Sequence, residues 1–186
     1  IAFNSDGTKM FVLGLASKNV YEYDLCKQYD AGGASFSQKF STSGKEASPT
    51  SIAFNSDGTK MFISGFGGDD VTEFVLSQGF DLSSASYVGE NCAKSGQVYT
   101  ALDFNSDGTK LRILDRSSDT VHEFTLSTGF DISTCSSYST DNDSDNLASL
   151  TGVADGKPEG MAFNDDGTKM FIVGNKNDKI YQLTLS

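Results

Sequence analysis

The chain has 186 residues, 37% of them apolar, with 19 Gly, 2 Pro, 14 Phe, 7 Tyr and no Trp. Acids outnumber bases 25 to 14, a formal charge of −11. That balance disfavours general nucleic-acid binding and docking on anionic lipid, both of which need a basic surface, and no apolar run approaches the roughly 20 residues that cross a bilayer as a helix.

In chain order, Ala2-Phe3 reads as a short apolar strand. Asn4-Ser5-Asp6-Gly7-Thr8 then predicts a hairpin loop, with Ser-Asp in a type I turn and Gly7 in the left-handed position of a G1 bulge. Asn4 and Asp6 can bind local backbone N–H groups and fix that turn. Lys9 to Gly14 predicts a second strand, and VYEYDL from Val20 a third. QYDAGGAS from Gln28 is a turn leading to a fourth, more polar strand.

The same series then begins again. FNSDGTKMF starts at Phe3 and Phe54, FNSDGTKLR at Phe104 and FNDDGTKMF at Phe163, at spacings of 51, 50 and 59 residues. In the second copy the first strand reads Ser51 to Phe54 and the fourth Ser84 to Val88. Third strands recur as VTEFVL from Val71, VHEFTL from Val121 and IYQLTL from Ile180, and the turn block as GFDLSSAS and GFDISTCS. The fourth copy ends before that block. The chain thus holds repeats at about 1–51, 52–101, 102–160 and 161–186.

A four-stranded meander recurring every ~45–50 residues is the sequence mark of a β-propeller blade. The expected fold is all-β: a β-propeller of four-stranded antiparallel blades, four per chain, the last one three-stranded. Blades pack face to face, so the first and last each present an apolar face. The chain can close as a four-bladed monomer, join a second copy head to tail as an eight-bladed ring, or be part of a longer propeller. The head-to-tail homodimer is the expectation, so self-association is the first expected partnership.

The AFNxDGTKMF[VI] block resembles the AFSPDG-x-x-[LM]-[FY]-V strand pair of the YVTN-type, TolB-like and lactonase-like propellers. It is most similar to the FN-x-DGTKM-[FY] repeat proteins of environmental and phage genomes. Pro49 and Pro158, each three residues before the inner-strand residue Ile52 or Met161, fit that pattern, with Tyr99 in the third copy. The resemblance implies a first strand along a central channel and a fourth at the rim. It speaks to structure and not to activity.

Residues common to all copies are poor site candidates. Asp6, Asp57, Asp107 and Asp166 serve the hairpin, and Glu22, Glu73 and Glu123 on third strands read as solvent-facing or blade-bridging. Departures from the repeat say more. In the third copy Asp103 replaces Ala, Arg112 replaces Phe, Asp115 replaces Gly, Arg116 follows it, and His122 is the one histidine. These five are the candidate ligand-binding residues. The competing explanation is a compensating set of ion pairs, because an Arg in a Phe column needs an acid beside it.

The long third repeat carries Asp141, Asp143 and Asp145 at the i, i+2, i+4 spacing of calcium ligands. Asn146 stands where such a loop wants Gly and Gly152 where it wants Glu. These three are the candidate metal ligands, with calcium the one cofactor the spacing admits. Cys26, Cys92 and Cys135 show neither CxxC nor zinc spacing and leave room for a single disulfide. Neither a GxSxG elbow nor a phosphate loop occurs.

Two functions follow: a binding or structural module contacting a protein or glycan, or a lactonase-like hydrolase with a metal in the channel. The first is the expectation, with an extracellular, cell-surface or virion-surface location.

Overall fold

The computed structural model describes residues 1–67, 70–92, 97–136, 145–146, 157–164, 167–176 and 178–184. It divides into two units, Ile1–Asn91 and Cys92–Ser186. Each unit holds two antiparallel sheets with strands in sequence order. In the first unit these are β1 (Ala2–Phe3), β2 (Lys9–Gly14), β3 (Asn19–Asp24) and β4 (Ser35–Ser41), then β5 (Pro49–Phe54), β6 (Lys60–Gly65), β7 (Val71–Leu76) and β8 (Ala85–Asn91). In the second unit β9 (Tyr99–Phe104), β10 (Lys110–Asp115), β11 (Thr120–Thr125) and β12 (Asp145–Asn146) form one sheet. The three strands β13 (Pro158–Phe163), β14 (Lys169–Gly174) and β15 (Ile180–Thr184) form the other. The protein is all-β, built from four propeller-type meanders.

The hairpin forms as its residues dictate. Gly7 N–H donates to Asn4 O at 3.1 Å, closing the turn, and Gly7 has φ +69°. Thr8 N–H and Oγ1 both donate to Asp6 Oδ1, and Lys9 N–H donates to Asn4 Oδ1. The second and third copies repeat each bond. The Asp6, Asp57 and Asp107 carboxyls are held below the ordinary range, chiefly by the threonine hydroxyl two residues on.

The turn block does more than turn. Its aromatic residue (Tyr29, Phe80, Phe130) takes a left-handed backbone with φ 58°, 57° and 55°. Each donates its N–H to the hairpin glycine carbonyl, Phe80 to Gly58 O at 3.0 Å. Its ring then lies over that glycine: a Cβ on Gly58 would meet Phe80 Cδ2 at 2.2 Å. The following Asp caps a single 3-10 turn, as Asp81 does by accepting from Ser83 N–H. Two sequence blocks about 20 residues apart are therefore one interlocked corner.

Three strand boundaries differ from the expectation. The first strand of the second sheet begins at Pro49, a first-residue position that needs no donor. Ser84 belongs to the 3-10 turn, so the fourth strand runs Ala85–Asn91. In the third sheet, among the described residues, the turn block makes an isolated bridge, Leu126 to Cys135, and the fourth strand is Asp145–Asn146. Cys92 and Cys135 form a disulfide, and Cys26 is exposed outside any.

Facing sheets in each unit share a core. In the first, Phe11, Val20, Ile52, Met61, Ile63 and Phe74 pack together. Phe11 lies 4.6 Å from Phe54 and 6.2 Å from Phe80, ring centre to ring centre. In the second, Leu114 and Val121 pack on Met170 and Ile172. Glu22 is fully buried and bridges the first two sheets. It accepts from Lys9 Nζ and Gln38 Nε2, and from Leu82 N–H of the neighbouring turn at 3.1 Å. The blade-bridging role therefore holds for Glu22.

Candidate functional site

The five departures of the third repeat separate onto different surfaces of one sheet. Asp103, Arg112 and Glu123 stand directly opposite one another across β9, β10 and β11. The other sheets carry Ala–Phe–Glu or Ala–Phe–Gln in that row. Arg112 Nε donates to Glu123 Oε2 at 2.9 Å, and its guanidinium sits 4.5 Å from the centre of the Phe163 ring on β13. Lys110 Nζ bonds Glu123 Oε1 at 2.7 Å. Burial would raise the Glu123 carboxyl, but Lys110 and Arg112 outweigh it and hold the carboxyl below its usual range.

Asp103 differs. It lies half-buried between the first strands of two sheets, where it accepts Phe104 N–H at 2.9 Å and a backbone bond from Phe163. Burial raises its carboxyl above the ordinary value, and the N–H bonds and Arg112 only partly offset that. A double-mutant cycle checks the coupling. Arg112→Phe alone is expected to cost about 1–2 kcal/mol, because it leaves Asp103 and Glu123 without their guanidinium. Adding Asp103→Ala, which restores the row of the other sheets, is expected to recover most of that in urea denaturation.

Asp115 and His122 lie on the opposite face, because Asp115 is three residues along β10 from Arg112 and His122 pairs with Ile113. Both are buried, at 0% and 1% exposure. Asp115 Oδ1 accepts the N–H groups of Val98 (3.0 Å) and Ser117 (2.9 Å) and the Ser117 hydroxyl (2.7 Å). Oδ2 accepts from Ser118 Oγ and faces His122 Nε2 at 3.4 Å. Burial would raise this carboxyl. The bonds from His122, Ser118, Val98 and Ser117 prevail and hold it far below the usual carboxylate range.

The second sheet shows what Asp115 is for. There Gly65 takes its place, and a Cβ on Gly65 would come within 2.2 Å of Ser48 O. The carboxylate comes instead from Glu46 in the preceding loop, 1% exposed. Its Oε1 accepts Ser48 N–H at 2.7 Å and Gly67 N–H at 3.1 Å, the counterparts of Val98 and Ser117. One backbone need is met by two residues at unrelated repeat positions. Asp115 is an anchor for the start of β9 and the β10–β11 turn.

Arg116 reaches the neighbouring sheet, pairing with Glu159 at 2.9 Å, and Glu159 also accepts from Asn175 Nδ2. Asp141 and Asp143 lie outside the described residues, and of Asp145 only its backbone pairing with Val121 is described. Among the described residues no group of three His, Cys, Asp or Glu is placed to hold a metal ion. Sequence reasoning missed Glu46, Glu159 and Phe163 as partners. Glu46 and Glu159 lie near Pro49 and Pro158 at the starts of β5 and β13, at positions where the copies share no common acid.

No family model matches the chain, and no curated protein is significantly similar to it. Solved structures do match. A candidate 6-phosphogluconolactonase from Bacteroides uniformis matches 97% of this chain and 51% of its own, with TM-score 0.63 at 16% identity. One from Bacteroides fragilis matches 100% and 52%, with TM-score 0.62 at 15% identity. The periplasmic gluconolactonase of Pseudomonas aeruginosa matches 98% and 48%, with TM-score 0.58 at 17% identity. The chain has the fold of lactonase-like propellers and spans about half the length of these structures.

Proposed function

We propose that the chain contributes four blades to a lactonase-like hydrolase acting on a sugar lactone, with Asp103 as its general base. The observation that carries this reading is Asp103 itself. It is a half-buried carboxylate on a first strand, where the other sheets have Ala, and its proton affinity is raised by burial. A base of raised pKa takes a proton from water more effectively near neutral pH. In lactone hydrolysis the water oxygen bonds to the carbonyl carbon, the ring C–O bond breaks, and the ring oxygen leaves as a hydroxyl. Asp103 would accept the water proton and return one to that leaving oxygen. Arg112, held by Glu123 and Phe163, would orient Asp103.

The test is glucono-δ-lactone and its 6-phosphate, followed by acid release in a lightly buffered assay. The wild-type rate is expected to exceed spontaneous hydrolysis, and Asp103→Asn to lower it by roughly 10²-fold. The same variant is expected to keep or raise the melting temperature, because it removes a charge that burial disfavours. The sign follows from the raised pKa: Asp103 costs the fold least below its unfolded pKa of ~3.9 and most as pH rises through the folded value. A rate equal to background in the wild type overturns the hydrolase reading.

A second reading, a binding or structural module without catalysis, is favoured over the hydrolase by one observation. Arg112, Asp115, Arg116 and His122 are each engaged by neighbours as structural ties would be. Saturable binding of a lactone or glycan with no turnover would select it. Calcium binding by Asp141, Asp143 and Asp145 is a separate proposal, checked by thermal shift with calcium and EDTA.

A further inference from the structure

Each sheet sets one third-strand side chain beside the end of its second strand, and the second sheet makes that side chain small. Tyr21, Thr72, His122 and Tyr181 pair with Val12, Ile63, Ile113 and Ile172. The latter four each stand two residues before Gly14, Gly65, Asp115 and Gly174. Alternation along the strand puts each paired side chain and that later position on one face. In two sheets the ring reaches the position. A Cβ on Gly14 would meet Tyr21 Cε2 at 3.5 Å, and His122 Nε2 lies 3.4 Å from Asp115 Oδ2. Thr72 has no ring. The Glu46 carboxyl comes in instead, its Cδ 2.7 Å from where a Cβ on Gly65 would stand.

Glu46 and Asp115 serve the same backbone through one oxygen and differ at the other. Glu46 Oε1 accepts Ser48 N–H and Gly67 N–H, as Asp115 Oδ1 accepts Val98 N–H and Ser117 N–H. Asp115 Oδ2 then takes the Ser118 hydroxyl and faces the His122 ring. By sequence the second sheet has Gly68 and Thr72 in those two places, so neither donor is there. The threonine hydroxyl sits on Cβ, whereas imidazole Nε2 lies at the far edge of its ring, so Thr72 stops short of the carboxylate. Glu46 is 1% exposed and Thr72 0%. Glu46 Oε2 and Thr72 Oγ1 are both shut off from solvent, and among the described residues neither has a hydrogen-bond partner. Buried polar atoms of this kind are costly unless something bonds them.

We propose that a buried water molecule bridges Glu46 Oε2 and Thr72 Oγ1, in the place that the edge of the His122 ring takes in the third sheet. The water donates one hydrogen to the carboxylate and makes a second hydrogen bond with the threonine hydroxyl. Those are the two polar partners that a buried water needs at the least. A neutral donor suffices here, because two backbone N–H groups already hold the other carboxylate oxygen. The water completes in the second sheet the anchor that Ser118 and His122 complete in the third.

Magnetic relaxation dispersion of water oxygen, which counts waters of long residence, tests this on the whole chain. Thr72→Val keeps the side-chain shape and leaves the water a single partner. Thr72→His supplies the ring that replaces the water. Each variant is expected to lose the dispersion amplitude of one water relative to the wild type. Thr72→Val is expected to lower the urea midpoint and Thr72→His to raise it. The wild-type melting temperature is expected to be the same in sodium, potassium, ammonium and choline chloride. A wild type without a long-lived water overturns the proposal, and so does an amplitude that Thr72→Val leaves unchanged. A melting temperature raised by one of the small cations in the wild type but not in Thr72→Val also overturns it, since the ligand would then be a cation.

Discussion

Asp115→Ala is expected to destabilise the protein by about 3–5 kcal/mol, the range for leaving the partners of a buried charge uncompensated. The carboxylate is fully buried and gathers two backbone N–H groups, two serine hydroxyls and the His122 ring. Removing it takes this partner from the buried His122 ring and the half-buried Val98 N–H, whereas Ser117 and Ser118 are exposed and can turn to water. Asp115→Asn keeps one oxygen for the Val98 and Ser117 N–H groups and is expected to cost less. Urea denaturation of both variants checks the order. The pH dependence has a fixed sign. The folded pKa is depressed, so the stabilisation is fully present above the unfolded value of ~3.9 and is lost as pH falls further toward the folded one. Acid unfolding of Asp115→Asn is therefore expected to be shallower than that of the wild type in this window. If Asp115→Ala left stability unchanged and abolished ligand binding or turnover, Asp115 would be a site residue and not an anchor.

How much of this could be read from the sequence depends on how local each interaction is. The Asn-Ser-Asp-Gly-Thr hairpin was legible because the side-chain bonds that fix its turn lie within five residues. The four sheets followed from the spacing of that hairpin. The interlocked corner was half legible: the turn appeared in the sequence, but the docking of Phe80 over Gly58 did not. The fourth strand of the third sheet had no local signal, because the long third repeat separates it from its turn. The polar cluster was legible as five residues and illegible as geometry. Strand alternation places Asp103 and Arg112 on one face and Asp115 and His122 on the other, which the cross-strand register decides. The equivalence of Asp115 and Glu46 had no sequence signal, since the two occupy different repeat positions and meet only through the N–H groups they bind.

Gly58→Ala is expected to cost about 3–4 kcal/mol, while the same change at Gly167, the same repeat position, is expected to cost about 1 kcal/mol. Both glycines have a left-handed backbone, φ +72° and +69°, so both variants bear the backbone penalty. They differ in what lies above among the described residues. A Cβ at Gly58 would meet Phe80 at 2.2 Å, and at Gly167 it would meet no described residue within 4 Å. The Phe80 ring cannot simply swing away, because it packs on Phe54 at 5.4 Å and Phe11 at 6.2 Å across the joint between two sheets. Displacing it opens the core that holds Ile52, Met61 and Phe74. The difference between the two glycines therefore measures the aromatic lid alone. Phe80→Ala provides the cross-check. In that background Gly58→Ala should cost no more than Gly167→Ala does, because only the backbone term is left. Persistence of the full penalty without the ring would place the strain in the hairpin itself and remove the interlocked corner as the element that joins the sheets.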